Sequence, residues 1–191
     1  ETDWSDTAGK NAGEMGAALW LAKKIIFDIN NLSPSAWVIW LTIDHHKSKD
    51  GYLGNKDSGF PSTKKGYWGL AFAEHDKKEI VLTKKYYAMG QFSKFIRPGD
   101  TIIHCNDNTL AAFNSKTKEV KIVCVNCSGK DYPIAFDLSD FNKSDHKVKV
   151  IRTSGNLENG ENWTVLNDLK LTDNTFSTEL KGNSVTTFIV E

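Results

Sequence analysis

Polar side chains that can donate, accept or carry a proton follow directly on a long apolar run of the chain. Asp44, His45 and His46 come straight after residues 36–43 and open a loop that is rich in Gly, Lys and Asp up to residue 65. Such side chains can hydrogen-bond the hydroxyl groups of a ligand, although residues in so polar a loop are more often simply solvated. Two adjacent histidines without a further ligand do not make a metal site. The pattern indicates a loop that is either functional or mobile, and it predicts no metal or cofactor.

The elements that must position this loop are helices and a buried strand. Residues 13–30 carry apolar side chains at three- and four-residue spacing and predict an amphipathic helix, and residues 82–96 predict a second one with Thr83 as its N-cap. Between them, residues 36–43 are almost continuously apolar and β-branched, which is typical of a strand buried on both faces. In such a strand Trp37 and Trp40 point to opposite faces. We expect Trp37 to pack in the core and Trp40 to face a ligand.

The second half of the chain changes to a period of two. From residue 101 onward, short β-rich runs separated by turn-rich segments predict seven or eight strands of an antiparallel β-sandwich. A (β/α)8 barrel needs about 250 residues, far more than precede Pro98. The predicted fold class is therefore α/β plus all-β. From the residues alone we expect an incomplete α/β part in residues 1–98, whose buried strand belongs to a parallel sheet or barrel, followed by a β-sandwich in residues 99–191.

Charge and cysteine content exclude several classes of function. The chain has 24 Lys and Arg against 24 Asp and Glu, so that no net field favours a nucleic acid or an anionic membrane. No stretch approaches the roughly 18 apolar residues of a membrane-spanning helix. Cys124 and Cys127 lack the second Cys/His pair of a zinc site and, on a strand, would point to opposite faces. We interpret them as structural thiols.

Several motifs resemble glycoside hydrolases of family 30. Residues 86–99 (YYAMGQFSKFIRPG) are similar to the last barrel helix of that family and to its exit into the β-sandwich. Residues 36–40 resemble the Trp-x-x-Trp pattern of the eighth barrel strand, and residues 1–5 resemble the E-x-D end of the seventh. Residues 11–22 look like the intervening helix of the branch that includes endo-β-1,6-galactanases. The resemblance covers essentially the whole chain, by motif as far as Gly99 and by architecture beyond it. It implies that residues 1–98 form the last strands and helices of a TIM (β/α)8 barrel.

The catalytic chemistry that this resemblance implies is retaining hydrolysis of a glycosidic bond. Such enzymes use two carboxyl groups about 5–5.5 Å apart, one as nucleophile and one as general acid/base. By resemblance Glu1 is the nucleophile, whereas the family's acid/base lies on a barrel strand with no counterpart in this chain. Alternatively, Glu1 is a frayed, solvated terminal residue without a specific role. We expect this chain alone to be inactive.

The resemblance also implies the residues that hold the sugar. Trp40 would be a wall of the subsite for the cleaved residue, because aromatic faces stack on the apolar CH face of a sugar. Asp44 and His45 would hydrogen-bond its hydroxyls. Trp4 and Trp68 are weaker candidates, as exposed aromatics that would extend the cleft.

The expected partners are an oligo- or polysaccharide and the N-terminal portion of the barrel, with no nucleic acid and no membrane span. A β-1,6-linked galactan or glucan is the favoured substrate, ahead of xylan and glucosylceramide-like substrates. Related enzymes carry Asn or Gln directly after the second Trp of the eighth strand, where this chain has Leu41. The exact glycan therefore stays open. Family resemblance alone implies an extracellular, secreted protein.

Two other interpretations compete with this one. The sandwich from Thr101 onward would be a non-catalytic carbohydrate-binding or structural module if aromatic side chains formed a line on one of its faces. Only Trp163 and Tyr132 are available for such a line. The chain would alternatively be a complete protein with its own fold, but a strand that is apolar on both faces requires neighbours and covering helices that this chain scarcely supplies.

Overall fold

The computed structural model describes residues 13–45, 69–74, 77–141, 143 and 146–191. The first predicted helix is confirmed as α1 (Met15–Leu32), which buries a continuous face including Leu21, Ala22, Ile25 and Ile26. It ends at Ser33, whose backbone is left-handed with φ 44° and whose N–H donates to the carbonyl of Ile29. No helix in the described residues is long and apolar enough to span a membrane.

The second predicted helix is confirmed as α2 (Lys84–Ser93), although it ends three residues before the expected Ile96. Thr83 occupies the N-cap position, but its side chain makes no capping hydrogen bond. Its hydroxyl instead donates to the carbonyl of Leu70 at 2.6 Å, in a fully buried position. Thr83 is thus the N-cap residue as predicted, but the expected side-chain capping bond was wrong, because tertiary packing offers its hydroxyl an acceptor outside the helix.

The prediction of a doubly buried strand over residues 36–43 was also wrong. Val38 is 85% exposed and Trp40 is 76% exposed, and the chain is irregular as far as residue 42. The strand β1 comprises only Ile43–His45. It pairs in parallel with β2 (Ala71–Glu74), and β2 pairs antiparallel with β3 (Glu79–Leu82).

The physical reason is that an apolar run becomes a strand only where neighbouring backbone completes its hydrogen bonds. In the described residues, the end of the stretch before β1 accepts backbone hydrogen bonds from the N–H of Leu70 to the carbonyl of Leu41 and from the N–H of Ala71, in β2, to the carbonyl of Thr42. The peptide bond between Trp40 and Leu41 is cis. The sequence analysis also missed β3, whose pattern is mostly exposed and whose last residue, Leu82, was assigned to the following helix.

The antiparallel strands predicted after Pro98 are confirmed. They are β4 (Thr101–Ile103), β5 (Thr109–Phe113), β6 (Val120–Asn126), β7 (Tyr132–Asp137), β8 (Lys147–Ser154), β9 (Glu161–Val165), β11 (Thr175–Leu180) and β12 (Ser184–Val190). A short additional strand, β10 (Leu169–Lys170), was not predicted. Seven of the strands form one sheet in the order β10-β8-β12-β6-β5-β4, with β9 paired to β8, and β7 pairs with β11 in a second sheet.

The seven-stranded sheet has a core on each of its faces. Helices α1 and α2 pack on one face, where Val123 and Val125 of β6 join the helix side chains in one hydrophobic cluster. Sheet β7–β11 contributes to a second cluster on the other face, which contains Ile122 and Cys124 of β6. Strand β6 is accordingly buried at every residue. The domain boundary near Pro98 stays a prediction, and the first of these clusters contains residues from both sides of it.

Burial also sets the chemistry of Cys124. Its side chain lies in the core between the two sheets, and desolvation raises the pKa of its thiol to about 12. A thiol with such a pKa stays protonated and unreactive near neutral pH. This agrees with a structural role for Cys124.

Candidate functional site

The predicted site residues that the structure describes lie where the irregular segment leads into β1. Trp40 projects into solvent, whereas Trp37 is half-buried against the helical cluster and donates its indole N–H to the carboxylate of Asp28 at 3.0 Å. The two tryptophans thus differ as expected, although not as members of one strand. Trp40 presents an open aromatic face of the kind on which a sugar ring stacks.

Asp44 lies at the centre of β1, opposite Phe72 of β2, and is only 8% exposed. Gly69 approaches it so closely that a Cβ at position 69 would lie 2.8 Å from the backbone nitrogen of Asp44 and 2.9 Å from its Cβ. The backbone of His45 pairs with Ala73 in the same sheet. Glu1, Trp4, His46 and Trp68 lie outside the described residues.

Lys85 is a residue near this site that the sequence analysis missed. It lies in the first turn of α2 with a relative exposure of 0%. Burial lowers the pKa of its ammonium group to about 8, while the negative charge of Asp44 acts in the opposite direction. The charge of Asp44 on β1 therefore acts on the buried ammonium group of Lys85 on α2. A Lys-Lys pair at the start of a helix normally predicts solvated side chains, so that no sequence signal revealed this pair.

Lys84 was missed for the same reason. Its ammonium group is buried and donates to the carbonyls of Ser154 and Glu161, each at 2.9 Å, and to the side-chain oxygen of Asn162 at 2.7 Å. Three acceptors satisfy the three donors of a lysine. Burial lowers the pKa of this ammonium group, against the opposing charges of Glu14 and Glu161. Lys84 thus fastens the start of α2 to the β8–β9 hairpin.

Glu161 carries the charge network of that hairpin. Its carboxylate accepts two hydrogen bonds from Arg152, at 2.6 and 2.7 Å, together with one from the hydroxyl of Ser154, and it lies 3.4 Å from Lys181. These donors, Arg152 first, hold the pKa of Glu161 at about 2. Because the folded-state pKa lies below the reference value of 4.5, this stabilisation is complete above pH 4.5 and is lost as the pH falls through about 2.

Glu161→Gln should therefore make the protein less sensitive to acid. Between pH 5 and pH 2, we expect the free energy of unfolding of the wild type to fall by about 1–2 kcal/mol more than that of the variant, allowing for solvent screening of a partly exposed pair. Urea unfolding at a series of pH values measures this difference. Glu158→Gln, which changes an exposed carboxylate in the same hairpin, is the matched control and should keep the wild-type slope. If the free energy of unfolding falls equally with pH in the wild type and in Glu161→Gln, the assignment of the lowered pKa to Glu161 is contradicted.

Tyr132 and Trp163, the two aromatics considered for a sugar platform on the sandwich, are both half-buried. Tyr132 of β7 packs against the core between the sheets. Trp163 of β9 packs instead against α2, with its indole N–H donating to the carbonyl of Tyr87 at 2.7 Å. They belong to different sheets, and among the described residues no line of exposed aromatic side chains joins them.

Comparison with known proteins found similarity along nearly the whole chain. An endo-β-1,6-galactanase of Hypocrea rufa is 26% identical over 189 residues, which are 97% of this chain and 33% of that protein. The glucuronoxylanase XynC of Bacillus subtilis is 28% identical over 182 residues, which are 92% of this chain and 40% of that protein. The chain thus spans between a third and two fifths of the length of these relatives. No profile of a protein family matches it.

A solved structure shares the fold. The glycoside hydrolase family 30 subfamily 8 xylanase from Clostridium acetobutylicum superposes with a TM-score of 0.65 at 23% identity, over 94% of this chain and 40% of that one. Together with the two relatives, this match confirms the resemblance to family 30 glycoside hydrolases that the motifs indicated.

Proposed function

We propose that this chain is the C-terminal part of a retaining O-glycoside hydrolase that cleaves β-linked glycans. The observation that carries the proposal is the similarity to two glycoside hydrolases over 97% and 92% of the chain. In the proposed mechanism, the carboxylate of Glu1 attacks the anomeric carbon while an acid/base carboxyl, supplied by the preceding barrel portion, protonates the leaving oxygen. Water then releases the sugar from Glu1, with the second carboxyl acting as base. No metal or cofactor takes part in this scheme.

Trp40 is proposed as the wall of the subsite for the cleaved sugar. An aromatic side chain that is 76% exposed next to a site loop adds nothing to core packing, and this supports a binding role. Asp44 is largely buried and is better suited to hold the start of the loop in place, and His45, the next residue along the chain, is the proposed donor to a sugar hydroxyl. Trp4 and Trp68 remain proposed extensions of the cleft.

The substrate is proposed to be a β-1,6-linked galactan, with xylan as the next choice. One relative is named for each activity, a β-1,6-galactanase and a glucuronoxylanase. Both substrates are extracellular polymers, so that secretion of the parent enzyme is part of the proposal. Leu41 cannot hydrogen-bond a sugar through its side chain, which leaves the choice between the two glycans to experiment.

Hydrolysis of a panel of substrates tests the proposal. The panel comprises aryl β-glycosides, β-1,6-galacto-oligosaccharides and xylo-oligosaccharides, each offered to the chain alone and to the chain mixed with a recombinant N-terminal barrel portion of a family 30 enzyme. We expect turnover only in the mixture. Turnover by the chain alone would contradict the missing acid/base, and would require a second carboxylate such as Asp3 or Asp44. A mixture that assembles but cleaves nothing would contradict the hydrolase itself.

Trp40→Ala should lower kcat/KM of the reconstituted enzyme by roughly tenfold, as expected for loss of one aromatic stacking contact. The exposure of Trp40 means that the free energy of unfolding should change little. Val38→Ala is the matched control, because Val38 is 85% exposed in the same irregular segment and is assigned no contact with substrate. If Trp40→Ala and Val38→Ala have the same kcat/KM, the proposal that Trp40 contacts the substrate is contradicted.

A further inference from the structure

An open groove lies beside the contact between α2 and Trp163 of β9. It has a volume of about 430 Å³, which falls within the range of small-molecule sites. Its aromatic wall comprises Trp163 and Tyr86, whose ring centroids are 5.4 Å apart. Gly90 and Met89 also contribute to its lining, and Lys94 and Arg97 stand at its exposed rim. The groove lies outside the set of residues assigned above to the glycosidic subsite.

The backbone around Trp163 is held in an uncommon conformation. Its φ is 52°, in the left-handed region that non-glycine residues rarely occupy, and the register of β8 and β9 shifts at this point. The indole N–H donates to the carbonyl of Tyr87, and the ring lies against Gly90, where no side chain would fit. A left-handed backbone at a bulky residue is energetically unfavourable. A Trp that is nevertheless kept in this conformation beside an open groove is an outlier from which a function can be inferred.

The groove carries positive charge without a matching negative group. The ammonium nitrogen of Lys94 lies 4.6 Å from the centroid of the Trp163 ring, and the guanidinium of Arg97 donates to the carbonyl of Ser93. In the part of the chain that the structure describes, neither cation forms an ion pair, and the lining of the groove contains no carboxylate. Two cations beside two aromatic rings suit an anion that also has a flat apolar face.

We propose that the groove between Trp163 and Lys94 binds a carboxylated sugar, a hexuronate. The carboxylate would pair with Arg97 and Lys94, and the CH face of the ring would stack on Trp163 once the ammonium group of Lys94 moves toward the carboxylate. The hydroxyl of Ser93 is placed at the rim to accept or donate a bond to a sugar hydroxyl. The choice of a sugar among flat organic anions rests on the proposed function, whereas the preference for an anion rests on the charges of the groove alone.

Nuclear magnetic resonance of the ¹⁵N-labelled chain tests this inference, with the indole N–H signal of Trp163 as the reporter and Trp163→Phe used only to assign it. The probes are sodium glucuronate, glucose, sodium acetate and a xylo-oligosaccharide that bears a glucuronate side group. We expect glucuronate to shift the Trp163 signal with at least tenfold higher affinity than glucose or acetate. Lys94→Gln combined with Arg97→Gln should weaken glucuronate binding at least tenfold. Lys116→Gln, at an exposed turn between β5 and β6, should leave it unchanged.

The possible outcomes test uronate binding in the groove independently of the proposed hydrolase activity. A shift with free glucuronate alone identifies a monosaccharide ligand, and a shift with the substituted oligosaccharide as well identifies a uronate on a glycan chain; both support the inference. No shift, equal shifts with acetate, or unchanged binding in the doubly substituted variant would overturn it. Loss of the shift on addition of the barrel portion would also overturn it, because the groove would then be covered by protein. The assay does not depend on hydrolysis. If the chain mixed with the barrel portion cleaves no substrate but still binds glucuronate, only the proposed function is contradicted.

Discussion

Replacing Glu1 by Gln is expected to lower hydrolysis by the reconstituted enzyme by roughly 10⁴-fold or more, the scale of loss found when a catalytic nucleophile is removed. A neutral amide has the shape of the carboxylate but cannot form the glycosyl ester that the retaining mechanism requires. Binding of substrate should be nearly unaffected, so that KM changes far less than kcat. Initial rates on an aryl β-glycoside, measured at equal concentrations of assembled protein, provide the comparison.

Two further variants make this result specific. Asp3→Asn removes the neighbouring carboxylate and Glu158→Gln removes an exposed carboxylate far along the chain, and both should keep most of the wild-type rate. If Asp3→Asn is the inactive variant instead, the nucleophile is Asp3. Glu1→Ala with added azide should recover turnover and yield a glycosyl azide of inverted configuration, because azide then occupies the face vacated by the carboxylate. An azide of retained configuration would assign Glu1 to the acid/base role.

The strands after Pro98 were predictable because their core is built from local alternation. In β7 the exposure alternates residue by residue, and its inward side chains contact the core between the sheets. A period of two carries that information in the sequence itself. Alternation along the chain does not distinguish β6, which was correctly predicted as a strand, from residues 36–42, which are also rich in apolar and β-branched side chains but form no strand. Strand β6 is buried on both faces because helices cover one side and a sheet covers the other, whereas Trp40 and Val38 have no such cover in the described residues.

The charged residues of the candidate site could not have been located in this way. Lys84 and Lys85 adjoin in sequence, and both are fully buried. Lys84 contacts the β8–β9 hairpin, whose bonded residues lie 70 or more positions further along the chain, and the charge of Asp44 acts on Lys85 from 41 residues away. A buried ammonium group is tolerated only where acceptors or an opposite charge are brought to it by tertiary structure. Their burial is therefore a property of the fold, and no pattern of neighbours along the chain encodes it.

The packing of α2 on β9 leads to an equally sharp expectation for Gly90→Ala. A Cβ at this position would lie 2.0 Å from Cζ2 and 2.6 Å from Cε2 of Trp163. The indole cannot move aside without breaking its bond to Tyr87. We expect a loss of about 3 kcal/mol in the free energy of unfolding, from steric overlap and the lost hydrogen bond, even though Ala favours a helix by about 1 kcal/mol over Gly.

Gly16→Ala is the matched control, and its effect should have the opposite sign. Gly16 lies in the first turn of α1, and a Cβ there would have no atom within 4 Å. Helix propensity then acts alone, and the free energy of unfolding should rise by about 0.5–1 kcal/mol. Urea unfolding followed by circular dichroism measures both variants. A stable Gly90→Ala protein with an unchanged Trp163 indole signal would mean that α2 and β9 are not in contact in solution. The buried bonds of Lys84 to the same hairpin would then also have to be absent, since both interactions hold α2 against the same pair of strands.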